Sequence, residues 1–311
     1  MNQVFSYVDY SKQAFHQKLN RKLEQREQAL LLYPILMQLR EEHPGVAARQ
    51  LYYILQPAAI GRDKFESLCF EHGLKLPRLK AYHKTTDSSG VIRFPNLIAG
   101  REFTSINQAW SSDITYYRIK ELFYYLTFII DLFSRLIVGF SVSKRLLTSE
   151  TTFAALTMAI KNRQPAKGII FHTDGGGQYY SNAFLELTNH HSISNSMCDS
   201  VYENAHAERI NGTIKNQYLK GYDPQNYGEL VKMTKRAVNK YNLIRPHKTL
   251  KNLTPAVYEK RQPAGGTSST NNDFCNNRIP HEHLQKNHHL SMMHKSTSKE
   301  LKTIEKTVNV F

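Results

Sequence analysis

The stretch Gly168-Ile169-Ile170-Phe171-His172-Thr173-Asp174 constrains this chain more than any other. A short apolar run without alternation reads as a strand buried on both faces, and such strands lie between layers of helix. The surroundings agree. Residues 148–162 read as a helix, with 151–160 rich in Ala, Leu and Met, and a second helix is expected at 181–190. Upstream, Ala109 to Tyr117, Leu122 to Asp131 and Arg135 to Val142 read as three strands, the last two joined by the turn Leu132-Phe133-Ser134. A short strand at 192–197 and long helices at 203–220 and 227–242 follow. Three meandering strands and then alternating helix and strand predict an α/β domain over 108–260, built on a mixed sheet.

The flanks have other textures. Residues 1–29 form an N-terminal arm whose stretch from Ser11, a candidate N-cap, to Ala29 is a solvated helix. Between 30 and 76, Leu31, Ile35, Leu36 and Leu39 recur at helical spacing up to the breaker Pro44-Gly45. A helix over 46–56 follows, and then one from Arg62 to His72, with Phe65, Leu68 and Cys69 inward and Gly73 as its stop. Three helices in this order resemble a helix-turn-helix module, whose last helix would offer Arg62 and Lys64 to a major groove. An ordinary helical bundle fits the same pattern. Residues 77–107 read as a basic linker, and 261–311, with its Gly-Gly-Thr-Ser-Ser-Thr-Asn-Asn run and scattered histidines, as a polar, disordered tail.

The net charge of +15 is spread along the chain, with excesses of +4, +8 and +3 over 1–90, 91–260 and 261–311. Distributed positive charge suits a long anionic partner such as nucleic acid, whose counterions are released along the whole contact. The longest apolar run, Leu122 to Leu132, is broken by Thr127 and Asp131 and is too short to span a bilayer. The first residues lack the layout of a signal peptide, so a cytoplasmic, nucleoid-associated protein is expected. The three cysteines, Cys69, Cys198 and Cys275, lie far apart with no Cys-x-x-Cys, which supports neither a disulfide framework nor a zinc knuckle.

Three acids occupy telling places. Asp113 interrupts the first strand, Asp174 closes the buried one, and Glu208 sits on a later helix. A carboxylate losing its hydration needs a partner, and a hard divalent cation can serve several at once. Three such acids could hold two ions about 4 Å apart, the clamp for in-line phosphoryl displacement. Each acid alone has a plainer reading: an Arg partner for Asp113, a cap on Gly175-Gly176-Gly177 for Asp174, a surface position for Glu208.

Taken together the motifs resemble a known family. Trp110-x-x-Asp113-Ile114-Thr115-Tyr116, Asp131-x-Phe133-Ser134-Arg135, His172-Thr173-Asp174-x-Gly176-x-Gln178-Tyr179, Asn204-Ala205-x-x-Glu208 and Lys215 are similar to the integrase catalytic core of bacterial insertion-sequence transposases. The closest likeness is to the second reading frame of the insertion sequence three family, within the retroviral-integrase superfamily. Tyr241-Asn242-x-x-Arg245-Pro246-His247-x-x-Leu250-x-x-x-Thr254-Pro255 resembles that family's ending, and Ser11-Lys12-Gln13-Ala14-Phe15 its start. The resemblance covers about 1–260. It implies a ribonuclease-H-like mixed five-stranded sheet with flanking helices, preceded by the helix-turn-helix-like module.

The function implied is a DNA transposase, an Asp-Asp-Glu polynucleotidyl transferase that cleaves and transfers strands of an insertion element. Asp113, Asp174 and Glu208 would coordinate two Mg²⁺ or Mn²⁺ ions. Lys215, Gln178, Asn204, Arg245 and His247, with Arg62 and Lys64, form the expected DNA-binding set, Gln178 and Asn204 also serving to orient acids or strand. Asp131 is expected to hold its turn. The partners implied are double-stranded DNA, at element ends and target, a multimer on that DNA, and an upstream-frame helix-turn-helix and zipper protein or fusion; no membrane is involved.

Two departures stand out. The 34-residue interval from Asp174 to Glu208 looks two residues shorter than the family pattern, and Glu203 stands where the family usually has Asp. Glu203 is therefore the alternative third ligand. The competing functions are a catalytically silent DNA-binding regulator derived from a transposase, and a nuclease for RNA–DNA hybrids, which the Arg245-Pro246-His247 ending disfavours.

Overall fold

The computed structural model describes residues 11–58, 60–76, 94–198 and 204–261. The tail, most of the basic linker, the first ten residues and Glu203 lie outside the described residues.

Five strands form one sheet: β1 (Ala109–Ile119), β2 (Leu122–Asp131), β3 (Ile137–Ser143), β4 (Ile170–Thr173) and β5 (Ser194–Met197), in the order β3-β2-β1-β4-β5. The first three are an antiparallel meander, while β4 pairs parallel to β1 and β5 parallel to β4. This is the mixed, ribonuclease-H-like sheet that the resemblance implies. Alternation along the strands sends side chains to two cores. Phe128, Ile130 and Ile170 join the core on one face, and Trp110, Ile129, Ile169 and Phe171 the core on the other.

The second core is closed by α4 (Thr152–Arg163) and α5 (Asn182–His190). Helix α4 approaches β3 at Gly139, where any Cβ would run into the backbone of Ala155, and the small Ala155 and Ala159 make that approach feasible. The first core is closed by α6 (Ala205–Thr213), by α7 (Tyr227–Leu243) and by the N-terminal module. The expected helix over 203–220 is not uniform. Ile214–Leu219 is π-helical, with Lys220 N–H reaching Lys215 O, and a turn Lys220–Tyr222 ends it. A last short helix, α8, spans Pro255–Arg261.

The N-terminal module differs from expectation in one respect. A single helix, α1 (Lys12–Glu42), replaces the two expected on either side of residue 29, and it runs through Pro34. Arg26 to Leu32 offers strong helix formers and no capping or glycine stop, so nothing local ends the helix there. Ser11 does cap it, its Oγ accepting from Ala14 N–H at 3.1 Å. Helices α2 (Ala48–Leu55) and α3 (Arg62–Glu71) follow, with Phe65, Leu68 and Cys69 buried, and Gly73 at φ 71° stops α3.

The module is docked on the π-helical segment. Gly45 N–H donates to Gln217 O at 2.8 Å, and a Cβ on Gly45 would meet Gln217 Cα at 2.5 Å. Arg40 gathers the carbonyls of Pro44, Val46 and Leu74, and Tyr222 Oη donates to Glu42 O at 2.7 Å. Gln50 Nε2 reaches Pro246 O. Among the described residues no helix is long and apolar enough to cross a membrane.

Candidate active site

The parallel pairing of β1 with β4 ends on the rung Ser111↔His172. Asp113 lies two residues beyond that rung on β1 and Asp174 two beyond it on β4, one residue after the strand's end at Thr173. Two residues is one pleat period, so both carboxylates leave the same face at the same end of adjacent strands. The turn after β4 is shaped for this. Asp174 Oδ1 accepts from Gly176 N–H at 3.1 Å, and Gly175, at φ 76°, leaves no room for a Cβ beside Met197.

Helix α6 supplies the third acid along one of its faces. Asn204, Glu208, Asn211 and Lys215 recur at intervals of four, three and four residues, the repeat of a single helical face. Three of the four are bound to β1 in chain order. Asn204 Oδ1 accepts from Ser111 Oγ at 2.5 Å and its Nδ2 donates to Ser112 O at 2.9 Å. Asn211 Nδ2 donates to Asp113 Oδ2 at 2.8 Å. Lys215 Nζ donates to Thr115 Oγ1 at 2.7 Å and lies 5.2 Å from the Tyr116 ring centroid. Glu208, exposed, therefore sits between a residue tied to Ser112 and one tied to Asp113.

The electrostatics follow from this crowding. Burial, and then repulsion from Asp174 and Glu208, pushes the Asp113 carboxyl up to about 7, against the Ile114 N–H and the Asn211 amide. Tyr179, buried with its hydroxyl 2.9 Å from Ser112 Oγ, is raised well above its ordinary range, by burial first and then by Asp174 and Asp113. Beside Asp113, the buried Asn211 Oδ1 has no hydrogen-bond partner among the described residues. Among the described residues no three His, Cys, Asp or Glu side chains form a ready-made metal cluster.

The other sequence candidates fall in several places. Gln178 is half-buried in the turn after Asp174, its carbonyl accepting from Thr152 Oγ1. Asn204, Arg245 and His247 are buried at 2%, 9% and 8% exposure, which leaves them almost no surface for a phosphate. Arg245 Nε donates to Gln217 Oε1 at 2.9 Å, and its Nη1 stands 3.2 Å from His247 Nε2, so the pair braces the π-helical segment from below. Arg62 and Lys64 are exposed in the first turn of α3, with Arg62 paired to Asp63 at 2.8 Å. Asp131 holds its turn as expected, its carboxylate accepting from the N–H groups of Asn107, Phe133 and Ser134. Sequence reading missed Asn211, Ser111 and Ser112, and gave Tyr179 only as the last position of the motif after Asp174. Only Asn211 carried a signal, its spacing of three residues from Glu208 on the face shared with Asn204 and Lys215.

The chain is similar to known proteins over these elements. The family described as Integrase core domain matches residues 104–202, and a second description under the same name matches 189–255. The insertion element IS600 31 kDa protein of Shigella sonnei is 29% identical over 269 residues, which is 84% of this chain and 98% of that protein. Transposase InsF of insertion sequence IS3A, from Escherichia coli K12, is 33% identical over 164 residues, 51% of this chain. The match spans about half of that transposase, 56% of its length. Among solved structures, the HTLV-2 integrase catalytic core domain in complex with magnesium is 25% identical, covering 50% of this chain and 97% of its own with a TM-score of 0.43. By these sequence matches, the chain carries an integrase core over residues 104–255 and is similar along most of its length to a protein of a bacterial insertion element.

Proposed function

We propose that this chain is a DNA transposase, which cuts and joins DNA strands by metal-dependent phosphoryl transfer at Asp113, Asp174 and Glu208. The observation that carries the reading is the shared rung. Two carboxylates leave the same end of adjacent parallel strands together, and a helix face pinned to β1 on either side of Glu208 brings a third. Burial and the two neighbouring acids raise the Asp113 carboxyl, and a bound cation would offset both effects.

The residues fit a hard divalent ion. Every donor is an oxygen, and Asn211 Oδ1 beside Asp113, without a hydrogen-bond partner among the described residues, is a further oxygen that a bound water or cation could use. Mg²⁺ or Mn²⁺, two ions held by Asp113, Asp174 and Glu208, would supply the positive charge that activates an attacking oxygen and steadies the departing 3′ oxygen. The chain's own residues do the positioning. Asn211 holds the Asp113 carboxylate by its Oδ2, and Asn204 fixes the start of α6 against Ser111 and Ser112. Lys215, held at Thr115 and Tyr116, places an ammonium two residues further along β1 than Asp113, where it would meet the DNA backbone. Arg62 and Lys64 on α3 and the Gln178 turn extend that contact, and Arg245 and His247 act through the scaffold. Joining two element ends in one reaction calls for a multimer on DNA, and an upstream-frame partner would supply further end recognition.

The test is strand cleavage of labelled duplex carrying the element's terminal repeat. Asp113→Asn and Asp174→Asn should each abolish cleavage in Mg²⁺ and in Mn²⁺ while DNA retention stays near wild type. Loss of retention in both variants, or cleavage in either, contradicts the assignment.

A further inference from the structure

Helix α7 carries a second basic surface that the acids do not use. Its inner face, Leu230, Thr234, Ala237, Val238 and Tyr241, is buried. Its outer face presents Lys232, Lys235, Arg236, Asn239 and Lys240, at helical intervals of three, one, three and one, along an open groove of about 360 Å³. Lys240 is bonded to Glu42, and the Arg236 guanidinium lies 5.0 Å from the Tyr222 ring centroid. Among the described residues Lys232, Lys235 and Arg236 have no acidic partner. The helix's one acid, Glu229, is spent at its N-terminus, accepting from Gln225 N–H and Asn226 Nδ2.

Like charges three and four residues apart on a helix repel one another. A chain that keeps such a stripe unneutralised presents it to an anion. The stripe is also the right length for a polyanion. From Lys232 to Arg236 the helix advances about 6 Å, which spans about two phosphates of one DNA strand at about 3.4 Å of duplex axis each. A second copy of this chain is a poor occupant, because it carries +15 itself. The helix starts beside β3, the sheet edge two strands from β1, where Tyr227 Oη donates to Val142 O.

We propose that Lys232, Lys235 and Arg236 track the backbone phosphates of duplex DNA outside the reacting phosphate, without reading its sequence. This rests on the chain's action on DNA and not on the assignment of the three acids. The test uses the full chain, two unrelated duplexes lacking element ends, and binding by fluorescence anisotropy across a salt series. In the variant Lys232→Ala, Lys235→Ala, Arg236→Ala, the slope of log K against log salt should become shallower by two to three, at about 0.9 per phosphate contact. Affinity near 150 mM salt should fall 10- to 100-fold on both duplexes, with an unchanged melting curve. The charge-keeping variant Lys232→Arg, Lys235→Arg should bind like wild type. An unchanged slope, as an acidic protein partner for this face would give, overturns the proposal. So does a loss on one duplex alone, or an equal loss in the charge-keeping variant. A wild-type chain that binds neither duplex overturns this proposal and the DNA function together.

Discussion

Asp113 and Asp174 stand two residues beyond the same rung, Ser111↔His172, of the parallel β1–β4 ladder. Sixty residues of chain separate them, and it is strand register that makes them neighbours. Parallel strands need a helical crossover, here α4, so the closeness of the two acids is set by the fold's topology. Glu208 joins them on α6, which is tied to β1 by Asn204 at its start, by Asn211 within it and by Lys215 in the π-helical segment that follows.

Asn211 is the support on which Asp113 most directly depends. Replacing it by Leu removes the amide that holds Oδ2 and leaves the carboxylate's neighbours unchanged. Loss of a hydrogen bond behind a ligand commonly costs 10- to 100-fold in metal affinity or activity. Asn211→Leu should therefore weaken Mn²⁺ binding and slow strand cleavage by about that factor, with Asp113→Asn as the reference for complete loss. Titration by Mn²⁺ paramagnetic resonance and a cleavage time course check it, and activity equal to wild type would contradict it.

Gly45 reports on the docking of the N-terminal module. A methyl group there would fall 2.5 Å from Gln217 Cα, against backbone that cannot rotate away. Overpacking of this kind costs about 1–3 kcal/mol. Gly45→Ala should lower the melting temperature by several degrees, with amide exchange quickening first in Ile214–Leu219. Exchange that quickens elsewhere and spares this segment would place the strain outside the interface.

His247 sets part of the acid limit of stability. Burial first, and then Arg245 and Arg135, push it down to about 3, against the pull of the Tyr241 backbone; the Tyr241 ring packs edge-on at 4.6 Å. Its folded value lies below the ordinary 6.5, so the unfolded chain binds the extra proton. Its contribution is whole above about pH 6.5 and is lost as pH falls through that value towards 3, a loss on the order of a few kcal/mol. His43 and His206, both lowered to about 4, act in the same window. His247→Gln should flatten the decline of unfolding free energy between pH 6 and 4, read by denaturant melts. A decline as steep as wild type would assign the acid limit to other groups.

Much of this architecture was legible in the chain, and the limits are instructive. The strand from Leu122 to Asp131, the apolar run at β4 and the cap at Ser11 are local signals, and the structure follows them. What stayed hidden depends on distant partners. The π-helical segment meets Gly45 through Gln217 O, a contact 172 residues away in sequence. The burial of Arg245 and His247 likewise follows from how the ending folds beneath that segment, which residue type alone does not reveal. Arginine and histidine near a helix end read as phosphate contacts until packing shows their surface is gone. Asn211 lay within reach of inference, on the face that Asn204, Glu208 and Lys215 share.

The central claim is that Glu208 completes the set begun by Asp113 and Asp174. The most direct measurement compares wild type with Glu208→Gln on labelled terminal-repeat duplex, with Mg²⁺ or Mn²⁺, for 3′-end nicking and strand joining. Metal-dependent joining is expected in wild type, and its loss in Glu208→Gln, with DNA binding preserved. Joining that survives the substitution would contradict it and move the third ligand elsewhere, with Glu203 first in line.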